Sequence, residues 1–216
     1  MKRYLLIFIS LLFLSACGKE QDVEEEIITT PPTDETVAPP ENTPAEKAEN
    51  LSDYFMPDKS IAQFKGEGNE YASYTLTTQR IGDYVVTYED NGGTVVQKMY
   101  NIQDDKISLI AENAEAYDAK SPTLAELESM KEIEIYLGTP FEVGTEFNGW
   151  KITSVTATLE TGLQTFEDVI VMEKIDEQGF TNRKYFAKKF GEIKREFIMQ
   201  EGNEQFIVSS TIESIK

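Results

Sequence analysis

No histidine occurs anywhere in the chain, and only one cysteine. Histidine serves most readily as acid and base near neutral pH, so Ser-His-Asp and Cys-His mechanisms are excluded. Structural zinc of the Cys/His kind is excluded with them. A lone cysteine cannot close a disulfide within the chain. Basic residues are scarce too: 20 Lys and Arg stand against 39 Asp and Glu, a net charge of −19. Such a surplus repels nucleic acid and anionic lipid head groups, and is compatible with a basic partner, a cation or plain solubility. The apolar run Leu5–Leu14, interrupted only by Ser10, falls well short of the roughly 20 residues needed to cross a bilayer. For catalysis this leaves paired carboxylates, a lysine-activated serine or a metal held by oxygens. None of these has a recognisable signature here, and no cofactor is expected.

What is present begins with that run. Lys2 and Arg3 precede it, giving the basic start and apolar centre of a secretory signal peptide. Next, Leu14-Ser15-Ala16-Cys17 resembles a bacterial lipobox. The resemblance implies a diacylglyceryl thioether on Cys17, recognition of Leu14, Ser15 and Ala16 by the signal peptidase, and cleavage before Cys17. Its α-amino group is then free or N-acylated. A thiol can be alkylated to a stable thioether, and two acyl chains at about 0.8 kcal/mol per buried CH₂ hold far better than one. The expected location is the extracytoplasmic face of the cell membrane, and losing Lys2 and Arg3 takes the net charge from −19 to −21.

Residues 17–50 form an acidic tether. From Lys19 to Asn50 ten carboxylates face two lysines, and five of the eight prolines fall here. So few apolar residues cannot offset the entropy of ordering, and disorder is the expectation. Pro31-Pro32 and Pro39-Pro40 stiffen the stretch towards an extended spacer.

Residues 51–216 read as a single β-rich domain. Tyr71–Thr78 alternates, with Ala72, Tyr74, Leu76 and Thr78 on one face, as half-buried antiparallel strands do. Tyr84–Tyr88 and Thr94–Ile102 flank Asn91-Gly92, a hairpin signal because the tight turn requires positive φ. Further strands are expected at Ile107–Ile110, Ile133–Leu137, from Trp150, at Val169–Met172 as the central strand, and over Phe180–Lys188, Glu192–Gln200 and Phe206–Ile215. Ser121–Lys131 fits one short helix, with Ser121 as N-cap and Pro122 at its first position; a structured crossover loop fits it too. The fold class is therefore mainly β: an antiparallel curved sheet, barrel-like or sandwich domain, of about ten strands with at most one short helix. Glu67-Gly68-Asn69-Glu70 recurs as Glu201-Gly202-Asn203-Glu204, read as two similar turns or as a trace of duplication.

Several stretches resemble an uncharacterised group of lipoproteins from Gram-positive bacteria. They are Tyr54-Phe55-Met56-Pro57, Gly66–Ala72, Gly144 with Trp150-Lys151-Ile152-Thr153, Tyr185-Phe186-Ala187 and Phe190–Lys194. Lys188 and Lys189 stand where that group tends to carry a further glycine. The resemblance implies an envelope lipoprotein and names no activity.

Three candidate constellations remain. Asp83, Glu89, Asp90, Asp104 and Asp105 flank successive turns and supply oxygen ligands of the kind calcium takes, although no calcium-loop spacing occurs and solvated turn carboxylates explain them better. Tyr71, Tyr74, Tyr84, Tyr88 and Tyr100 suit a stacking surface, or more simply a core. Trp150 reads as a core plug. Ser121 with Lys120 or Lys131 is the one nucleophile and base pairing to consider. The reading reached is a membrane-anchored extracytoplasmic lipoprotein, not an enzyme, whose β-domain has a binding or structural role. Its partner is an envelope protein or an apolar small ligand, with no nucleic acid. A carboxylate-dependent cell-wall hydrolase is the alternative. Replacing Cys17→Ala should leave an uncleaved precursor or release the protein from the membrane fraction; a mature, membrane-bound variant would refute lipidation.

Overall fold

The computed structural model describes residues 49–202 and 204–216. The expected signal peptide with its recognition residues Leu14, Ser15 and Ala16, the expected lipid attachment at Cys17, the expected tether up to residue 48, and Asn203 lie outside the described residues. The segment Glu46–Lys216 forms one compact unit, and it holds the whole sheet and all three hydrophobic clusters. It is therefore a folding unit by itself.

Among the described residues, twelve strands make one antiparallel sheet. They are β1 (Ile61–Glu67), β2 (Tyr74–Ile81), β3 (Tyr84–Asp90), β4 (Val95–Ile102), β5 (Lys106–Asn113), β6 (Glu134–Gly138), β7 (Glu146–Phe147), β8 (Trp150–Glu160), β9 (Thr165–Ile175), β10 (Thr181–Ala187), β11 (Gly191–Glu201) and β12 (Glu204–Ile215), with one helix, α1 (Leu124–Ser129), between β5 and β6. Each strand pairs with its sequence neighbour, and β1 pairs with β12. Only the step from β6 to β7 lacks a ladder. There the edges still approach: Ile135 N–H donates to Asn148 Oδ1 at 2.8 Å, and the Phe147 ring faces Gly138. The result is a nearly closed up-and-down barrel, which leaves only two short edges to protect.

Two strands go beyond the expected ten. β1 was hidden because Gln63 and Lys65 alternate with Ala62, Phe64 and Gly66, a weak apolar face in a seven-residue run. β7 is only two residues long. The helix also starts later than expected. Thr123, not Ser121, is the N-cap, and its hydroxyl accepts from Glu126 N–H while Glu126 reaches back to Thr123 N–H. This reciprocal box satisfies two otherwise orphaned donors. Val169–Met172 is buried on both faces as anticipated, but β9 lies third from one end of the sheet instead of at its middle. The middle belongs to β1 and β12, because the first and last strands close on each other. The repeated Glu-Gly-Asn-Glu segments differ: one opens a longer loop before Tyr74, whereas in the other Glu201 and Glu204 are register partners at the ends of β11 and β12.

The interior is stoppered at one end by Leu51–Met56, which begins as a single 3₁₀ turn at Leu51–Tyr54. Leu51, Tyr54, Phe55 and Met56 are all buried. Arg80 fixes this plug through Ser52 O, Phe55 O and Met56 O at 2.9–3.0 Å, with the Ser52 hydroxyl at 2.8 Å. On the opposite side Gly191 has φ +71, and a Cβ there would lie 2.6 Å from Tyr54 O. Only glycine allows both the backbone turn and the close approach. Outside the barrel, α1 lays Leu127 onto Val86, Met99 and Ile110. Leu127→Ala should therefore cost about 2–5 kcal/mol. Leu124→Ala, at a position 47 % exposed, should stay within about 0.5 kcal/mol of the parent. Denaturant unfolding of both variants distinguishes a docked helix from a loosely attached one.

Candidate functional site

Strand alternation decides which side chains enter the barrel. Val85, Thr87 and Glu89 of β3 share a face, as do Lys98 and Tyr100 of β4 and Asn182, Lys184 and Phe186 of β10. Cross-strand partners agree: Val85 lies opposite Tyr100, and Lys184 opposite Arg195. In β11 the register slips opposite the Tyr185/Phe186 step. A regular strand would put Glu192 and Arg195, three apart, on opposite faces. The bulge brings both inward.

Inside, the plug and the sheet meet in an aromatic layer. Phe55 lies 5.1 Å from the Tyr100 ring, Tyr100 lies 4.7 Å from Tyr136, and Tyr136 meets Phe186 edge-on at 5.3 Å. One step further along the strands stands an ionic layer. Arg195 donates to both oxygens of Glu89 at 2.9 and 3.0 Å, and its Nε to Glu192 at 2.5 Å. Lys98 donates to Glu89 at 3.1 Å, and Tyr136 OH to Glu192 at 3.0 Å. The Arg195 guanidinium also lies 4.9 Å from the Tyr74 ring centre. Lys184 is held differently: its ammonium lies 4.6 Å from the Tyr136 ring centre and 4.8 Å from that of Trp150. Its distance to Glu192 is 3.8 Å, beyond a hydrogen bond.

Burial alone would raise the carboxyl of Glu89, but Arg195 and Lys98 outweigh it and hold the group well below its ordinary value. Glu192 is likewise opposed by burial and carried below the carboxylate range by Arg195 and Lys184. Burial pulls Lys184 below the usual lysine value despite Glu192. It pushes the Tyr100 and Tyr136 hydroxyls upward. Two carboxylates thus converge here, yet both are held ionised. The division into one protonated acid and one ionised base, typical of carboxylate catalysis, is not what these environments impose.

Beyond the ionic layer lies a hollow of about 230 Å³, whose walls include Tyr100, Tyr136, Trp150, Lys184, Arg195 and Phe197. Phe197 meets Phe180 edge-on at 5.6 Å. Phe180 in turn borders a second hollow of about 390 Å³ with Met199 and Phe206. Phe197 and Met199 are two apart on β11 and face Val208 and Phe206 on β12, so one apolar track leads outward from the charged layer.

The residues singled out from sequence are only partly assembled here. Tyr74 and Tyr100 enter the barrel, Tyr71 is exposed, and Tyr84 and Tyr88 pack outside, beside the helix. Trp150 is buried as a core plug and also borders the hollow. Asp83, Asp90, Asp104 and Asp105 are exposed at turns, whereas Glu89 turns inward to Arg195. The five do not gather, and no group of three metal-ligating side chains occurs among the described residues. Ser121, Lys120 and Lys131 are exposed, away from the cavity. Lys98, Tyr136, Lys184, Glu192 and Arg195 were not anticipated. Their signal is faint: charges at alternating strand positions normally mark a solvent face, and only the register reveals these as inward.

The fold and site together define a nearly closed antiparallel barrel with a charged, aromatic-walled interior. No family model and no curated protein matches the chain. Two solved structures show a distant likeness. One is a protein of Bacteroides fragilis NCTC 9343 described as exported, with a YmcC-like fold, at 10% identity and a TM-score of 0.43 over 76% of this chain and 98% of its own. The other, from Parabacteroides distasonis ATCC 8503 and described as a lipoprotein, has 11% identity and a TM-score of 0.47 over the same shares. Likeness at this level says nothing of activity.

Removing the shared cation exposes what it does. Arg195→Met leaves Glu89 and Glu192 buried without their main counter-charge and should destabilise the fold by about 3 kcal/mol near neutral pH. In the parent both carboxyls titrate below their unfolded value of about 4.3, so their contribution is complete above that pH and is lost as pH falls through the folded values. In the variant burial drives them upward, and acidification relieves the penalty. The stability gap between the two proteins should narrow from about pH 7 to about pH 4. A gap independent of pH in urea unfolding would contradict this account of the cluster.

Proposed function

We propose that this chain is a lipoprotein held by lipid on Cys17 at the extracytoplasmic face of the cell membrane, whose barrel binds a small molecule in its interior without transforming it. The anchor rests on the sequence Leu14-Ser15-Ala16-Cys17 behind a short apolar run. The binding role rests on one observation: the barrel interior is not packed throughout but keeps a hollow of about 230 Å³ beside Lys184, Trp150 and Tyr136. Ligand sites are typically concave and largely apolar, with a few convergent polar groups. Carboxylates held ionised by Arg195 and the neighbouring lysines suit a fixed electrostatic wall better than acid-base exchange, which favours binding over cell-wall hydrolysis.

The test is native mass spectrometry of residues 46–216 produced in a related bacterium and purified without harsh detergent. The expected result is a stoichiometric adduct that is lost on denaturation. Incubation with isolated cell walls should release no soluble fragments. A clean apo mass from several preparations, or released wall fragments, would overturn the reading.

A further inference from the structure

We infer that the molecule held in this barrel is an anionic amphiphile, its acidic head at Lys184 and its apolar chain laid along Phe197, Val208, Phe180, Met199 and Phe206. This rests on the binding role proposed above and adds the ligand's chemical class.

The head-group assignment comes from how the cations on the inner face are partnered. Lys98, Lys184 and Arg195 stand with Glu89 and Glu192, and the register adds Glu112 opposite Lys98, Glu134 opposite Leu109 and Lys174 opposite Asn182. Lys98 and Arg195 are hydrogen-bonded to carboxylates. Lys184 is not; two aromatic faces and a carboxylate 3.8 Å away hold it. An ammonium removed from water gains most from an anion able to accept its hydrogen bonds.

The apolar body comes from strand geometry. From Lys184 on β10 to Phe180 just before that strand, and from Arg195 to Met199 along β11, is four residues, about 13 Å at the usual strand rise. Over that length the inner face of β10 and β11 is apolar except for Asn182, with Lys174 opposite it on β9. The outer part of the track is open, with Phe206 50 % exposed. A single chain of roughly ten carbons spans the distance. A free fatty acid and a one-chain lipid with a singly charged phosphate share this chemistry.

Trp150 is the only tryptophan in the chain and borders the hollow, so intrinsic fluorescence reports on the site. Residues 46–216 are titrated with decanoate and with 1-decanol, following Trp150 emission and its protection from acrylamide. Decanoate should bind at least about tenfold tighter than decanol, a difference of roughly 1.4 kcal/mol. Lys184→Met should erase that preference, and Phe206→Asp should weaken both probes. Equal affinity of the parent for both probes overturns the anionic head but leaves the cavity a binding site. Failure of both probes, with an unrelated adduct in the native mass spectrum, overturns the amphiphile and keeps the binding role. Failure of both probes together with a clean apo mass sinks the two readings at once.

Discussion

One guanidinium ties the interior together. Arg195 on β11 spans the barrel to Glu89 on β3, 106 residues away in sequence, and also takes Glu192 from its own strand. Buried ion pairs often contribute little net stability, since desolvation consumes the Coulombic gain. Their consequence here is specificity of arrangement. A one-residue slip of β11 would send Arg195 outside and leave Glu89 buried without its main partner. The bulge near Ile193 is part of the same constraint, because without it Glu192 and Arg195 could not face the same way.

That layer also explains why the barrel is filled at one end and open at the other. Below it the plug Leu51–Met56 supplies Phe55 to the aromatic rings of Tyr100 and Tyr136, and Arg80 satisfies the plug's carbonyl groups. Above it β10, β11 and β12 carry apolar side chains outward along the inner face. A hydrophobic base, a charged middle and an apolar track form a graded interior, suited to a molecule with one polar end. On the outer face, Arg183, Glu173, Glu196 and Tyr185 form a separate network, which shows how the period of two sorts neighbouring charges to opposite sides.

Much of the architecture was legible in the sequence. Alternation located ten strands, Asn91-Gly92 marked the β3–β4 hairpin, and Pro122 with the polar residues around it placed the single helix to within a few residues. Strand β1 escaped because its inward positions include Ala62 and Gly66, too small to raise an apolar signal. The helix start was misplaced because Ser121 and Thr123 are both good caps, and only Glu126 at the correct spacing from Thr123 chooses between them. The site was scarcely legible. Glu89 was grouped with turn carboxylates, and Lys184 and Arg195 resembled the polar face of solvated strands.

The sequence by itself determined what is local: the signal-like run before Cys17, the acidic and proline-rich composition up to Asn50, the period-two pattern, the turns and the absence of histidine chemistry. Each depends on residues a few positions apart. The tertiary structure alone decided which face of each strand turned inward, that β1 would meet β12, and that charges from β3, β4, β10 and β11 would enclose a hollow. In a closing barrel the partners are far apart along the chain, and a side chain's face depends on register and bulges summed around the sheet, a quantity no short stretch of sequence carries.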